Sequence, residues 1–360
     1  MKIIFAGGGT AGHIAPAISV AQIWREKYPA HVIEFIGTSV GLETKLVPAA
    51  NFKLNLIAKV IVPRKPSPRL LRVPFDLFRS FRASRKVLMG ADLLIGFGGY
   101  VSAPAYLAAK SLRVKFVVHE ANAKPGFANR LGALLTPFLA VAQPIENGRL
   151  KSALVTGIPL RQDIDALVLK SSLDWSSARS SAKRELGFSV DHPLILAFFG
   201  SQGSVSLNKV IAESLPLFLA NGNQMLHAVG NLNELPSSTD SYKALAYISE
   251  MAKAYLAADL IISRSGAISC SEINALGRYA IFIPLAIGNG EQRFNAQSII
   301  AQHRGELLDQ RNFTPQWVNS NLERLLSTAA ESAMAGSDVD RLAAEKIISL
   351  MEHAMSDSRS

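Results

Sequence analysis

Short apolar runs alternate with longer segments of helical spacing along the chain. Ala15–Arg25 has helical spacing, and the apolar runs of the first half are Lys2–Ala6, Val32–Gly37, Leu93–Phe97, Lys115–His119 and Ala153–Gly157. Short β-branched runs bounded by glycine are typical of buried strands. Strands that alternate with helices predict a doubly wound, mostly parallel α/β sheet, which binds its ligands beyond the carboxyl ends of the strands.

The second half of the chain repeats the opening of the first. Lys2–Ala6 leads into Gly7-Gly8-Gly9, and Leu194–Phe199 leads into Gly200-Ser201-Gln202-Gly203. Further apolar runs are Leu226–Gly230, Leu260–Ser263 and Ala280–Pro284, and the tail from Val339 to Met355 has helical spacing. This weak internal repeat predicts two Rossmann-like sheet domains that face one cleft.

Composition narrows the class of protein. The 360 residues are 49% hydrophobic and 18% charged, which is too apolar for a disordered chain. The length suggests two domains, and the single cysteine, Cys270, excludes an intrachain disulfide and fits a reducing, cytoplasmic compartment. No stretch approaches the ~18–20 apolar residues of a spanning helix, and no signal-peptide core precedes the first strand. We therefore expect a soluble protein that can touch a membrane surface.

Most of the net charge of +10 lies in one segment, Arg64–Lys86. This segment contains eight basic residues and one acidic residue, Asp76, which gives a net charge of +7 in 23 residues. Leucine and phenylalanine residues are interspersed with the basic residues. Such a segment can lie on an anionic membrane, where each basic residue contributes about 1 kcal/mol. The alternative is an ordinary helix with a solvated basic face. Nucleic acid is disfavoured as a partner because no recognisable nucleic-acid motif accompanies the charge.

The first glycine loop carries the strongest chemical signal. Gly7, Gly9 and Gly12 satisfy Gly-x-Gly-x-x-Gly between a strand and a helix, and Glu34 is expected to end the next strand. This pattern is typical of a phosphate-binding turn and also fits the dinucleotide fingerprint, so an NAD(P)-dependent Rossmann oxidoreductase is an alternative. A P-loop is excluded because His13-Ile14 stands where lysine and serine or threonine are needed.

His13 directly follows the glycines, at the start of the predicted helix. A helix N-terminus disfavours a cation, so the imidazole is expected to stay neutral and could act as a general base. The alternative is a histidine that only caps or packs. His119-Glu120-Ala121-Asn122 is expected to gather three polar side chains at one sheet edge, and zinc is disfavoured there because no second histidine stands nearby.

Two further polar stretches follow predicted strands of the second half. The amides of Ser263–Glu272 could hold a diphosphate, while Glu272 could accept from ribose hydroxyls. Alternatively, Ser269 and Glu272 have the spacing of a capping box. Amide side chains in Gly290–Gln297 suit the hydroxyls of a sugar, although the start of a polar surface helix would look similar.

Taken in order, these motifs resemble the MurG family of bacterial glycosyltransferases, and the likeness spans residues 1 to about 300. The motifs are Gly8-Gly9-Thr10-Ala11-Gly12-His13, Gly98-Gly99-Tyr100-Val101-Ser102, His119-Glu120-Ala121-Asn122, Gly200-Ser201-Gln202-Gly203, Arg264-Ser265-Gly266-Ala267 through Glu272, and then Gln292 and Asn295. The resemblance implies the GT-B arrangement, with an N-terminal acceptor and membrane-side domain over 1–160 and a UDP-GlcNAc-binding domain over 161–335. A C-terminal helix within 336–360 would return to the first domain.

The resemblance also implies an activity and its partners. The enzyme would move N-acetylglucosamine from UDP-GlcNAc to the C4 hydroxyl of undecaprenyl-linked lipid I, with inversion, giving lipid II for peptidoglycan. It would need no metal and no cofactor, and would sit peripherally on the cytoplasmic face of the cell membrane through Arg64–Lys86. Cell-wall synthesis proteins are possible further partners. A non-enzymatic nucleotide-sugar or lipid-headgroup binder is a third hypothesis.

The family's functional residues carry over onto matching positions. His13 would be the catalytic base. The implied substrate-binding residues are Thr10, Ala11, Gly12, Asn122, Arg161, Ser201, Ile248, Ala267, Ile268, Ser269, Cys270, Ser271, Glu272 and Gln292. The chain departs from the family pattern at Ala11, Ala121, Ile158 and Glu291, where glycine, glutamine, asparagine and glutamine are usual. These departures affect the details of donor-sugar and acceptor contacts.

Overall fold

The computed structural model describes residues 1–60, 73–285, 290–332 and 336–357. They form two compact units: Met1–Arg161 together with Val339–Ser360, hereafter unit 1, and Gln162–Asp338, unit 2. Each unit contains one sheet whose strands all run parallel. The prediction of two parallel-sheet α/β domains is therefore confirmed.

Unit 1 is built on seven strands in the order β3-β2-β1-β4-β5-β6-β7. These strands are β1 Lys2–Ala6, β2 Val32–Gly37, β3 Lys53–Leu56, β4 Leu93–Gly96, β5 Lys115–Glu120, β6 Leu139–Val141 and β7 Leu154–Val155. The helices between them are α1 Ala11–Lys27, α2 Glu43–Ala49, α3 Val73–Leu88, α4 Ser102–Leu112 and α5 Phe127–Leu135.

Unit 2 is built on six strands in the order β10-β9-β8-β11-β12-β13. Its helices are α6 Gln162–Leu173, α7 Trp175–Glu185, α8 Val205–Glu213, α9 Leu215–Phe218, α10 Met251–Ala257, α11 Ala267–Ala275, α12 Glu291–Asn295, α13 Gln297–Ala301 and α14 Pro315–Glu331. The strands are β8 Leu194–Phe198, β9 Gln224–Ala228, β10 Tyr242–Leu245, β11 Leu260–Ser263, β12 Ala280–Phe282 and β13 Gly305–Leu307.

The central strands are apolar throughout because helices cover both faces of each sheet. In β1, Phe5 packs in the same core cluster as Trp24 of α1, while its neighbour Ile4 packs on the opposite face with Tyr106 of α4. All four side chains are fully buried. A continuous apolar run therefore indicates a strand that is buried on both faces, whereas alternating apolar and polar residues would indicate a strand buried on one face.

The last helix, α15 (Ala343–Ser356), belongs to the core of unit 1. Ile347 and Met351 are fully buried in the core cluster that also contains Trp24. Glu352 anchors the same helix, because its Oε1 accepts hydrogen bonds from Lys27 Nζ at 2.6 Å and from Tyr28 Oη at 2.5 Å. The chain thus leaves unit 1 after residue 161 and returns to it for its final helix.

Each sheet has one point where the strand order reverses. In unit 1 it lies between β1 and β4, and in unit 2 between β8 and β11. Open parallel sheets bind ligands at such switch points, beyond the carboxyl ends of the strands. The loops that follow these four strands are therefore where a ligand is expected.

Candidate active site

The loop after β1 presents the amino end of α1. Thr10 is the N-cap residue of this 17-residue helix, and Gly9 adopts a left-handed φ of 90°. The amides of Ala11 and Gly12 lie in the first turn, where a helix provides no intrahelical acceptor. Such amides, together with the positive end of the helix dipole, attract an anionic group such as a phosphate.

A buried carboxylate holds this loop from below. Glu43, at the start of α2, is fully buried, and its Oε2 accepts a hydrogen bond from the Gly9 amide at 2.9 Å. Its Oε1 accepts from Thr38 N at 2.9 Å and from Thr38 Oγ1 at 2.8 Å. Burial by itself would raise the pKa of Glu43, but the hydrogen bonds from Gly9 and Thr38 outweigh it and lower the pKa. The sequence analysis did not identify Glu43. The signal in the sequence is the pair Gly37 and Gly41, because a Cβ at either position would clash with the Glu43 side chain.

The loop after β4 packs directly against the first loop. Gly98 and Gly99 have left-handed φ values of 91° and 81°, and a Cβ on Gly99 would lie 2.4 Å from the Gly8 carbonyl oxygen. Ser102 closes this second loop, because its hydroxyl accepts from the Gly98 amide at 3.1 Å. Only glycine allows the two backbones to approach so closely.

His13 lies between these two loops. Its Nδ1 is 3.2 Å from the Gly8 carbonyl oxygen and 3.1 Å from Thr10 Oγ1, and a Cβ on Gly98 would lie 3.2 Å from its Cδ2. Burial lowers the pKa of His13 below its usual value, against the opposing effect of the Glu120 carboxylate. Burial therefore favours the neutral imidazole, which is the form that a general base requires.

Glu120, the last residue of β5, organises the third loop of unit 1. Its Oε1 accepts from the amide of Asn122 at 2.9 Å and from Asn122 Nδ2 at 3.0 Å, and its Oε2 accepts from the Gly126 amide at 2.9 Å and from Asn129 Nδ2 at 3.1 Å. A single carboxylate thus satisfies four donors and fixes the half-buried Asn122 at the carboxyl edge of the sheet.

His119 does not join this polar edge, so the expectation of three polar side chains gathered there is wrong. His119 is fully buried, packs against Phe97, and has its Nε2 3.0 Å from the Gly157 carbonyl oxygen. Burial lowers its pKa to about 4. The physical reason is the pleat: neighbours on a strand point to opposite faces, so His119 and Glu120 cannot face the same side.

In unit 2, Arg264 ties together the loops at the switch point. It is buried, and its Nη1 donates to the carbonyl oxygens of Ile283 at 3.0 Å and Pro284 at 3.1 Å. Its Nη2 donates to Gln310 Oε1 at 2.8 Å and reaches Ser204 Oγ, the N-cap of α8, at 3.4 Å. Arg264 therefore links the segments after β12 and β13 to the amino end of α8, and it does not present its guanidinium to solvent.

The amino end of α11 is the second candidate anion site. Gly266 is the N-cap residue, and Ala267, Ile268 and Ser269 form the first turn. The Cys270 amide already donates to the Gly266 carbonyl oxygen at 2.9 Å, so the amides that precede it are the ones a phosphate could use. The capping-box interpretation of Ser269 and Glu272 is wrong, because the helix begins two residues before Ser269.

The remaining predicted residues are distributed over both units. Cys270, Ser271 and Glu272 are buried in α11, and Ile248 is buried after β10. Gln292 of α12 accepts at Oε1 from the Leu285 amide at 2.9 Å, which connects it to the loop after β12. Arg161 is the last residue of the first stretch of unit 1.

Glu34 does not occupy the position that a dinucleotide fingerprint requires. It is the third residue of the six in β2, not the last, and its carboxylate pairs with Lys53 at 2.9 Å and Lys2 at 3.9 Å. Asn55 Nδ2 donates to it as well, at 2.9 Å. A carboxylate placed mid-strand and already paired is not available for the ribose of a dinucleotide.

Part of the basic segment lies on α3; residues 64–72 of it fall outside the described residues. Phe75 and Phe78 of this helix are 62% and 55% exposed, and the guanidinium groups of Arg79 and Arg82 lie over their rings. The side chains that face inward on α3 include Ser80, Ser84 and Leu88. No helix among the described residues is long and apolar enough to cross a membrane.

Sequence comparison identifies the family. The profile of the glycosyltransferase family 28 N-terminal domain matches residues 3–140, and that of the C-terminal domain matches residues 194–351. A UDP-N-acetylglucosamine–N-acetylmuramyl-(pentapeptide) pyrophosphoryl-undecaprenol N-acetylglucosamine transferase of Corynebacterium glutamicum is 44% identical over 340 residues, 93% of this chain and 92% of that relative. The chain belongs to glycosyltransferase family 28. A Streptomyces coelicolor protein of the same name is 42% identical over 334 residues, covering 91% of this chain and 90% of its own length.

Solved structures agree with the family 28 fold. MurG of Acinetobacter baumannii superposes with a TM-score of 0.70 over 98% of this chain and 99% of its own, at 23% identity. A UDP-GlcNAc 2-epimerase of Neisseria meningitidis reaches 0.68 over 98% of this chain and 100% of its own, at 15% identity. Enzymes other than transferases thus have the same fold. The conclusion that this chain is a hexosyltransferase rests on the family match and not on the fold. The oxidoreductase alternative has no support from these relatives.

The Glu120 network predicts a measurable loss of stability in Glu120→Gln. A glutamine keeps the shape but replaces one acceptor oxygen with an NH₂ group, so two of the four N–H donors would face another donor. Leaving buried donors unsatisfied costs about 1–3 kcal/mol. Urea unfolding of the variant should show a lower free energy of unfolding by that amount, whereas an unchanged midpoint would contradict the network. Glu345→Gln, at an exposed site on α15, is the control.

Proposed function

We propose that this family 28 enzyme transfers N-acetylglucosamine from UDP-GlcNAc to the C4 hydroxyl of lipid I, with inversion, and so makes lipid II. The observation that carries this proposal is that each sheet has at its switch point a helix N-terminus with amides that lack an intrahelical acceptor, α1 in unit 1 and α11 in unit 2. His13, whose pKa is lowered by burial, lies in the first turn of α1. The printed names of the relatives from Corynebacterium and Streptomyces supply the donor and the acceptor.

Unit 2 is the proposed donor-binding unit. The first-turn amides of α11 and the hydroxyl of Ser201 would bind the diphosphate of UDP, and Arg161 would add a positive charge. Glu272 would accept from the ribose, and Ile248 would line the uracil pocket through its backbone. The buried residues Cys270 and Ser271 would support this turn from below. Gln292 and Asn122 would bind the hydroxyls and the N-acetyl group of the sugar.

Unit 1 is the proposed acceptor-binding unit and supplies the base. Thr10, Ala11 and Gly12 would lie near the donor sugar and the diphosphate. His13 would take the proton of the acceptor hydroxyl, whose oxygen then forms a bond to the anomeric carbon as the bond to UDP breaks. Negative charge grows on the departing diphosphate, and helix N-termini aimed at that charge stabilise the transition state without rearranging.

The decisive experiment measures UDP release from UDP-GlcNAc in the presence of EDTA and a short-chain lipid I analogue. We expect UDP to be released only when the acceptor is present. UDP-glucose, used as the donor in place of UDP-GlcNAc, should not support this release. Binding of UDP-GlcNAc without release would favour a nucleotide-sugar binding protein, and release that stops in EDTA would contradict the metal-independent mechanism.

His13→Ala tests the base. Turnover should fall by roughly 10²–10⁴-fold, the usual contribution of general base catalysis. The affinity for UDP, measured by calorimetry, should change little, because α11 and its partners lie in unit 2. Near-normal turnover of a folded variant would remove His13 from this role.

We further propose that unit 1 binds the cytoplasmic face of the membrane through α3. Its two exposed phenylalanines lie beside Arg79 and Arg82, so apolar insertion and attraction to anionic lipid headgroups would act at the same place. A lipid-linked acceptor explains why the enzyme would need such a surface. Cell-wall synthesis proteins remain proposed partners on the same membrane.

Reversing two of these charges tests the surface. Arg79→Glu with Arg82→Glu should weaken binding to vesicles of anionic phospholipid by at least roughly 30-fold, since each lost basic residue removes about 1 kcal/mol and each new carboxylate adds repulsion. The remaining binding should also respond less to salt. Arg149→Glu with Lys151→Glu makes the same change of net charge at exposed sites elsewhere in unit 1 and is the control. Equal binding by both double variants would leave α3 with a structural role only.

A further inference from the structure

A single peptide group in the first glycine loop is hydrogen-bonded on both of its edges. Glu43 Oε2 accepts from the Gly9 amide at 2.9 Å, and the Gly8 carbonyl oxygen lies 3.2 Å from His13 Nδ1. The Gly8 carbonyl and the Gly9 amide belong to the same peptide unit, which is planar and points its N–H and its C=O in opposite directions. A carboxylate, a peptide and an imidazole therefore form one continuous hydrogen-bonded chain.

We propose that Glu43 is a positioning residue for His13 and acts on it through the Gly8–Gly9 peptide. The proposal rests on the function proposed above, in which His13 is the base. In other histidine-based sites a carboxylate is hydrogen-bonded directly to Nδ1–H and holds the imidazole in one tautomer and orientation. Here the Gly8–Gly9 peptide would take that position between the carboxylate and the imidazole. Nothing in the motif that contains His13 points to this residue, because Glu43 lies 34 positions away from Gly9.

The chain of hydrogen bonds selects one tautomer of His13. A carbonyl oxygen can only accept, so the contact with Gly8 places the proton on Nδ1 and leaves the lone pair on Nε2. Among the described residues, Nε2 has no hydrogen-bond partner. Thr10 Oγ1, 3.1 Å from Nδ1, can share this proton as a second acceptor. The nitrogen with the lone pair is then the one that can receive the proton of a substrate hydroxyl.

The same chain favours the protonated state that follows. A hydrogen bond to an ionised carboxylate is stronger than a neutral one, and linked hydrogen bonds polarise each other. Glu43 thus makes the Gly8 carbonyl a better acceptor when His13 becomes an imidazolium. The charged groups that act on His13 are Glu43 of α2 and Glu120 of β5, and both oppose the effect of burial. Glu120 has no hydrogen bond to His13, so Glu43 alone is connected to it through the chain.

Close packing holds the peptide in this position. A Cβ on Gly8 would lie 2.8 Å from Glu43 Oε1, and Gly9 has a left-handed φ that favours glycine. On the other edge, Gly99 sits against the Gly8 carbonyl. The loop glycines and the buried carboxylate therefore form one closely packed arrangement.

Glu43→Gln tests the inference. Glutamine removes the charge and turns an NH₂ group toward either the Gly9 amide or Thr38, so the chain is broken or weakened. We expect kcat for GlcNAc transfer to fall by roughly 10–100-fold, the loss typical of residues that orient a metal-bound histidine through a hydrogen bond. The acid limb of the pH profile of kcat/KM should move to lower pH, because losing a negative charge lowers the pKa of His13. Binding of UDP-GlcNAc should change little, because α11 and the other main donor contacts proposed above lie in unit 2, whereas Glu43 lies in unit 1.

Two controls separate positioning from stability. Glu34→Gln makes the same substitution at another hydrogen-bonded carboxylate of unit 1, on β2 and away from the loop, and should leave the pH profile unchanged. Glu43→Asp keeps the charge but shortens the side chain by one methylene. The decrease in the pKa of His13 should therefore be smaller in Glu43→Asp than in Glu43→Gln. Glu43→Asp is also the variant to test if Glu43→Gln does not fold.

A second measurement does not depend on turnover. Histidine-selective ¹⁵N NMR of the full-length protein, assigned with His13→Ala, should show the Nδ1–H tautomer of His13 in the wild type and a lower His13 pKa in the Glu43 variants. A wild-type Nε2–H tautomer, or an unchanged His13 pKa in a folded Glu43→Gln variant, would overturn the inference. An inactive wild type with the Nδ1–H tautomer and the shifted pKa would instead sink the proposed function and leave the hydrogen-bonded chain standing.

Discussion

Buried carboxylates support the backbone at the carboxyl edge of the first sheet. Loops there have amides that point into the fold and first-turn helix amides that have no intrahelical acceptor. The inward amides need partners from within the fold, because an unpaired buried N–H is costly. Glu43 supplies this partner under the first loop and Glu120 under the third. The open helix N-terminus of α1 depends on this division of the backbone into satisfied and available groups.

The same division appears in unit 2 with the opposite charge. Arg264 is buried and donates to loop carbonyls after β12, where the glutamates of unit 1 accept from loop amides. In both units the charged side chain shapes the loop, and the backbone of the helix N-terminus faces outward. A phosphate-bearing ligand would therefore be recognised mainly by amides and dipoles, which are rigid and need no reorganisation.

The fold by itself says little about the reaction. An epimerase and a transferase superpose on this chain about equally well, so the chemistry must come from residues placed on a common frame. Glu34 illustrates the point. The glycine spacing and a nearby acid fit a dinucleotide fingerprint on paper, yet in the sheet this acid lies mid-strand and is paired with two lysines.

The sequence alone determined the alternation of strands and helices, the two glycine loops and the family, because each depends on local patterns: buried apolar runs, backbone turns that need glycine, and motifs in a fixed order. It could not identify Glu43 as a partner of Gly9, nor bury His119 while Glu120 faces the loops. Those results depend on strand order and on the direction of side chains from a pleated sheet, which bring together residues far apart in the chain. Only the tertiary structure could decide which carboxylate lies beneath the first glycine loop and which nitrogen of His13 contacts the Gly8 carbonyl oxygen.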